Sequence, residues 1–556
     1  VSEALLSLER RGLVSALTTS SLANLAEYGF KHALVRDVAY ASLPKARRAK
    51  AHAEVGSWIE TLAGDRTDEF AELLAYHYRT AVAGEDSDLA WSGSEREPIR
   101  LKALELLVRA GIQARRRFAV AKAVELHDQA VALAATADEH LRALEELGDD
   151  HDSAYHGEDA QRAYLAALEI ARRIDRPADR ARLCSKLAEM MTSSPGAFKQ
   201  SPDPDMVEVL TSEGLAHSVD EEIRGHLQVA YGQTARLYRG SEPFGQGHKP
   251  DPEPIDKRIE AVEKARAVGE RLNNLQLLWI SNLALGLLYG MAGRYQAHLE
   301  LAMQDLEIVD RLASRIHQGD AVRRAAVAVM TIGGNYEEGL QLARRSLDLS
   351  RDTNPHQVMH GTCPVMMALF ELGRWDEIAP FLDEHLEAFR LDPAVECDFV
   401  RDGPIIGAVL AASSGDKDRA WHLRTLIGDP LAEIERATAW QSTLEVALGH
   451  PENARQISSR KALEGRSYGP LHARALLEAL IALKDWNALA DFVPLARRYS
   501  AGLAVLAPCC DRAEGLLARA GGDPAQAADA FGRALAGFEM LHALAEFTAT
   551  RKLLGA

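Results

Sequence analysis

Cysteines, aromatic side chains and long apolar runs are all scarce in this sequence, and each scarcity closes off a class of protein. Five cysteines (Cys184, Cys363, Cys397, Cys509 and Cys510) among 556 residues are too few for a disulfide framework, and an odd number leaves at least one thiol unpaired in a monomer. That usage suits a reducing compartment, so a cytoplasmic location is expected. No apolar stretch approaches the roughly 18 to 20 residues that cross a bilayer, and no export signal opens the chain, so no membrane partner is expected. Aromatic residues make up 6%, and alternating Val-rich or Ile-rich runs are nearly missing, which argues against sheets. The phosphate loop G-x4-G-K-[ST], the nucleophile elbow G-x-S-x-G and the zinc helix H-E-x-x-H are missing too. No catalytic residue is therefore assigned to this chain.

What is present is Ala and Leu in helical patterns, within an apolar share of 47%. The chain is too long for one compact core unless the core is extended by repetition, and an all-α protein is expected. A net charge of −17 opposes general nucleic-acid binding, which rests on clustered Lys and Arg. Residues 1–60 stand apart, with eight basic against six acidic side chains.

A short turn signal recurs between apolar helical stretches: Gly293-Arg-Tyr295, Gly334-Asn-Tyr336, Gly373-Arg-Trp375, Gly415-Asp-Lys417, Gly449-His-Pro451, Lys484-Asp-Trp486 and Gly522-Asp-Pro524. The spacings are 41, 39, 42, 34, 35 and 38 residues. This is the period of a solenoid of helical hairpins, each burying one face against the next, with glycine ending the first helix in a left-handed conformation. In "AEGLLARAGGDPAQAADAFGRAL", Gly515, Ala527, Phe531 and Ala534 stand at small, small, aromatic and small positions, and the segment resembles a tetratricopeptide repeat. Leu285, Gly286 and Tyr289 match the first-helix part of that pattern, with His298 where Ala is usual. Two further hairpins are expected in 101–135 and 140–173. The Pro- and Gly-rich stretches 193–205 and 240–254 cannot be helical throughout. The expected organisation is 1–62, the back half of a winged helix with connecting helices; 63–192, the first hairpins; 193–272, an irregular helical region; and 273–556, the main repeat array.

Near the start, a short helix ends at Gly12. Leu13-Val14, the polar "TTSSLANLAE" and Tyr28-Gly29-Phe30 then follow as strand, wing and strand. Phe30, Leu34, Val38 and Ala41 recur at helical spacing, Pro44 breaks that helix, and His52, Val55, Ile59 and Leu62 mark the apolar face of another. The run "YGFKHALVRDVAYASLPKARRAKAHAEVGSWIE" with "FAELLAYHYRTA" resembles the junction between winged helix and repeats in large bacterial signal-transduction ATPases of the AAA/NB-ARC kind. The resemblance covers residues 1–81 and, through generic repeats, the rest. It implies an ATPase core ahead of this arm, joined to a class III adenylate/guanylate cyclase domain or a LuxR-type helix-turn-helix. It further implies that ATP or ADP is bound by the intact protein, with no cofactor in this chain. Lys31-His32-Ala33 is similar in position to a Met-His-Asp motif whose histidine contacts the β-phosphate of ADP, with Lys31 and Ala33 in place of Met and Asp. On that resemblance His32 is a nucleotide phosphate sensor; the alternative is a histidine packed at an interface without a ligand.

Other constellations are weaker. Lys45, Arg47, Arg48 and Lys50 suit either contact with nucleic acid or an acidic partner, or a solvated face. The spacing His356-x3-His360-x2-Cys363 can set three ligands near Zn²⁺, but Pro364 and the lack of a nearby fourth candidate favour a helix start where His caps or packs. No metal site is expected. Cys509 and Cys510 are expected as buried thiols, and "DDHD" (Asp149 to Asp152) as a polar turn. The leading reading is a non-catalytic regulatory arm that binds a protein or peptide on its solenoid, or another copy of itself, and couples it to a nucleotide switch. The alternatives are a DNA-binding regulator using the winged helix, for which only Arg10 and Arg11 offer basic recognition side chains, and a stand-alone repeat scaffold.

Overall fold

A computed structural model describes residues 2–17, 26–238, 251–392, 397–431, 437–463 and 469–554. Helix dominates throughout, as the composition predicts, and the fold is an all-α stack of helical hairpins with one short two-stranded sheet near its start. The described chain divides into two compact units, 1–150 and 151–556. No helix among the described residues is long and apolar enough to cross a membrane.

In the first unit, the helix Ser2–Arg10 leads into antiparallel strands Val14–Ala16 and Tyr28–Phe30, with Val14 opposite Phe30 and Ala16 opposite Tyr28. The polar segment between them lies largely outside the described residues. Helices Ala33–Ser42 and Lys45–Ala63 follow, split by Pro44, which cannot supply the amide that a continuous helix needs. The face that the second of these buries differs from the expected one. Ala49, His52, Gly56, Ile59 and Ala63 are buried, whereas Val55 and Leu62 are exposed. Small residues decide this: a Cβ at Gly56 would lie 3.0 Å from Cζ of Tyr78, so Ala71–Val82 approaches only along the Ala49, Gly56, Ala63 strip. "DDHD" is likewise not a turn. It forms the end of the helix Ala137–Ser153, where buried Asp150 accepts from Arg115 at 2.7 Å and contacts His127. Buried charge needs such partners, and the turn falls at residues 154–156 instead.

In the second unit the turn signals behave as expected. Gly293, Gly334, Gly373, Gly415, Gly449, Lys484 and Gly522 all have φ between 55° and 90°. Around Gly293 the cap is a pair of bonds, from the Gly293 amide to the Gly290 carbonyl (3.2 Å) and from the Arg294 amide to the Tyr289 carbonyl (2.8 Å). At the expected close approach, a Cβ on Gly515 would lie 2.7 Å from the Phe531 ring. Helices Arg315–Thr331, Pro355–Glu371, Asp398–Ser413, Ala439–Leu448, Gly469–Leu483 and Leu506–Ala520 stack in series, each also packed on its own hairpin partner. Residues about one period apart therefore face each other along this row. The first expected break, 193–205, holds only the short helix Pro195–Ala197 before Asp203 caps Pro204–His217. The second lies mostly outside the described residues.

Candidate functional site

His32 occupies the N-cap of Ala33–Ser42, with φ −133° and ψ 130°. Its carbonyl accepts from the amides of Val35 (3.1 Å) and Arg36 (3.3 Å), while its exposed imidazole makes no capping bond. The basic run beside it is engaged locally: Arg47 pairs with Glu54 at 3.1 Å, and Arg48 and Lys50 lie over the rings of Tyr40 and Trp91. This is the solvated-face arrangement rather than a free cationic patch.

A second constellation forms inside the repeat stack, on three consecutive helices of the row. Asn354 starts Pro355–Glu371, its side chain accepting from the Gln357 amide at 2.9 Å. His356 and His360 are therefore not caps. They project one turn apart with ring centroids 4.2 Å from each other. Cys397 sits at the N-cap of Asp398–Ser413, and its Sγ lies 3.0 Å from Nε2 of His360. The other ring nitrogen of His360, Nδ1, lies 3.7 Å from the carboxylate of Asp320 on Arg315–Thr331. Arg323 holds that carboxylate at 3.1 Å and stacks its guanidinium over Phe399. Tyr155, whose φ of 61° turns it out of a helix end, stacks on His356 with centroids 4.1 Å apart.

Sequence spacing suggested Cys363 as the third member, but Cys363 is fully buried in the apolar core. Cys397 takes that place, 37 residues beyond His360. The missed signal was the repeat period, which sets residues on neighbouring helices of the row face to face.

The electrostatics follow from burial. Burial raises the Cys397 thiol to about 12, and burial followed by repulsion from His360 drives His356 well below the usual imidazole range. Burial also lowers His360. For Asp320, burial works upward, but the charge of Arg323 and the contact with His360 outweigh it and hold the carboxyl well below the usual range. The site thus holds two neutral imidazoles, a thiol and a carboxylate.

His356 is the anomaly. It is 1% exposed, and neither of its ring nitrogens meets a hydrogen-bond partner among the described residues. Buried His385 meets Thr362 at 2.8 Å and the Val400 carbonyl at 3.0 Å, the normal state for a core histidine.

No family model matches the chain, and no curated protein does. Among solved structures, a signal-transduction ATPase with a tetratricopeptide repeat sensor from Pyrococcus horikoshii aligns at 12% identity and TM-score 0.38, covering 77% of this chain. The chain spans only 58% of that protein's length. The APC/C hetero-tetramer Cut9-Hcn1 aligns at 13% identity and TM-score 0.42, covering 91% of this chain and 94% of that one. Yeast Tom70 aligns at 15% identity and TM-score 0.32, covering 92% and 96%.

Proposed function

We propose that this chain is a regulatory protein-interaction arm. Its repeat stack binds a protein or peptide, and residues 1–62, read as part of a winged helix, couple that event to an ATPase switch with cyclase or transcription output. The carrying observation is the helix Ala33–Ser42, which buries none of its residues. Leu34 and Val38, one turn apart, are 75% and 63% exposed. An amphipathic helix gains by covering such a stripe, and burying the two side chains is worth about 2 to 4 kcal/mol. His32 stands two residues before Leu34, so one docked surface reaches both. The occupant under this reading is a nucleotide-binding domain. The helix start and its exposed imidazole suit a phosphate oxygen, and the switch works only if that contact differs between the two nucleotide states.

The test is the nucleotide content of the purified intact protein. Wild type is expected to retain ADP, whereas His32→Ala and the pair Leu34→Asp with Val38→Asp are expected to lose it. Retention unchanged in His32→Ala, or no nucleotide in wild type, defeats the coupling. Sedimentation of this chain distinguishes the other occupant: a dimer that the Asp pair dissociates assigns the stripe to a second copy instead.

A further inference from the structure

The side chains of His356, His360 and Cys397 place one ligand atom each within 4.8 Å of one another. We propose that these three residues bind a divalent transition-metal ion of the zinc class, with Asp320 as the positioning residue for His360. Two imidazoles and a thiolate form a donor set that borderline ions favour over Mg²⁺ or Ca²⁺, which prefer oxygen. Three protein ligands leave a fourth position for water or an exogenous group.

Three observations converge on this assignment. The first is His356, buried with both nitrogens unpaired among the described residues, whereas a bound ion would take one of them. A buried polar group without a partner is destabilising, so an unrequited imidazole in this position calls for a ligand. The second is the orientation of His360. Its Nε2 faces Cys397 and its Nδ1 lies 3.7 Å from the Asp320 carboxylate, just beyond hydrogen-bond reach, so a small rotation of the ring on binding a metal would let the acid orient the outer nitrogen. The third is the placement of Cys397 at a helix start, where the backbone amides of Phe399 and Val400 face its sulfur and offset part of the burial that raises the thiol. The 3.0 Å contact between His360 and Cys397 is shorter than the edge of roughly 3.5 Å that ordinary Zn–N and Zn–S lengths give at a tetrahedral angle. Binding therefore opens this pair slightly and releases the thiol proton to solvent. Arg323 does not oppose the ion, because its charge is paired with Asp320. A bound ion would tie Pro355–Glu371 to the start of Asp398–Ser413, and through Asp320 to Arg315–Thr331.

The experiment is titration of the full chain, stripped with chelator, with Co²⁺ and then Zn²⁺. Wild type is expected to bind one equivalent of Co²⁺ with a thiolate-to-cobalt charge-transfer band, which Zn²⁺ displaces. Cys397→Ser is expected to abolish the band, His356→Ala to weaken binding at least tenfold, and Asp320→Asn to weaken it about 10- to 100-fold with the band retained. Cys363→Ser is the control for the thiol and is expected to keep both band and affinity. Circular dichroism melts of the stripped variants separate lost ligation from lost folding; a variant that does not fold is replaced by His356→Gln, expected to show the same loss. No cobalt band in wild type, a band that survives Cys397→Ser, or one that disappears with Cys363→Ser overturns the proposal.

Discussion

At the scale of single residues, burial decides what each histidine does. His77 is the clearest titrating case. In the first unit its Nδ1 lies 3.0 Å from Nδ1 of His52, whose Nε2 meets the Tyr40 hydroxyl at 3.0 Å. Two facing ring nitrogens share one proton, so a second proton breaks the contact. Burial, reinforced by His52, lowers His77 to about 4 from an ordinary 6.5. Between those values the unfolded chain binds more protons than the folded one, so this contribution is present above pH 6.5 and is lost as pH falls towards 4. The protection factors of the amides of Lys45–Ala63 and Ala71–Val82, taken relative to intrinsic exchange at each pH, are therefore expected to fall between pH 7 and 4.5 in the full chain. Because His77 is only half-buried, screening reduces the effect to about 1 kcal/mol. His77→Asn is expected to flatten this dependence, and an equally steep profile in that variant would assign it to other groups.

At the scale of the element, glycine has two different jobs in the same hairpin, and substitution separates them. Gly515→Ala forces the Phe531 ring away from a 2.7 Å approach and is expected to destabilise by about 1 to 3 kcal/mol. Gly532, on the helix Pro524–Met540, has nothing within 4 Å of its missing Cβ, so Gly532→Ala is expected to stabilise by about 0.5 to 1 kcal/mol. Opposite shifts in thermal midpoint would confirm the pairing of Gly515 with Phe531, and a neutral Gly515→Ala would refute it. The same distinction explains how much was legible in the sequence. Hairpins punctuated by glycine were visible, because only glycine adopts the left-handed turn without cost. Phe118, Tyr155, Asp175, Asn273 and His542 hold the same positive φ without it, so the punctuation around them was hidden. The buried site was half legible for a related reason. His356 and His360 share one helix and betray themselves by spacing, whereas Asp320 and Cys397 reach them from neighbouring helices that no local pattern connects.

At the scale of the whole molecule, the second unit departs from a solenoid in which each repeat touches only its neighbours. Its last helix, Leu544–Leu554, packs against Pro355–Glu371, far back in the chain. A Cβ on Gly334 would strike Leu541 and Ala504, and the Ala504 amide donates to the Thr331 carbonyl at 2.7 Å. The closure carries an ionic network in which Glu546 accepts from both Arg474 and Arg512, Arg474 also reaches Glu371, and Arg512 also reaches Glu478. Removing one acid would leave two largely buried guanidinium groups short of a partner, which typically costs about 3 to 5 kcal/mol. Glu546→Ala is therefore expected to raise hydrogen exchange in Pro355–Glu371 as well as in its own helix, whereas a nearest-neighbour stack would confine the change to the last repeat. Acid should act in the same way. Burial tends to raise the Glu546 carboxyl, but the charges of Arg512 and Arg474 prevail and lower it from 4.5 to about 2. Its contribution is thus complete above pH 4.5 and lost as pH falls through 2. Closure by this network requires the protection of both distant helices to fall together over that range, and Glu546→Ala to remove the shared step.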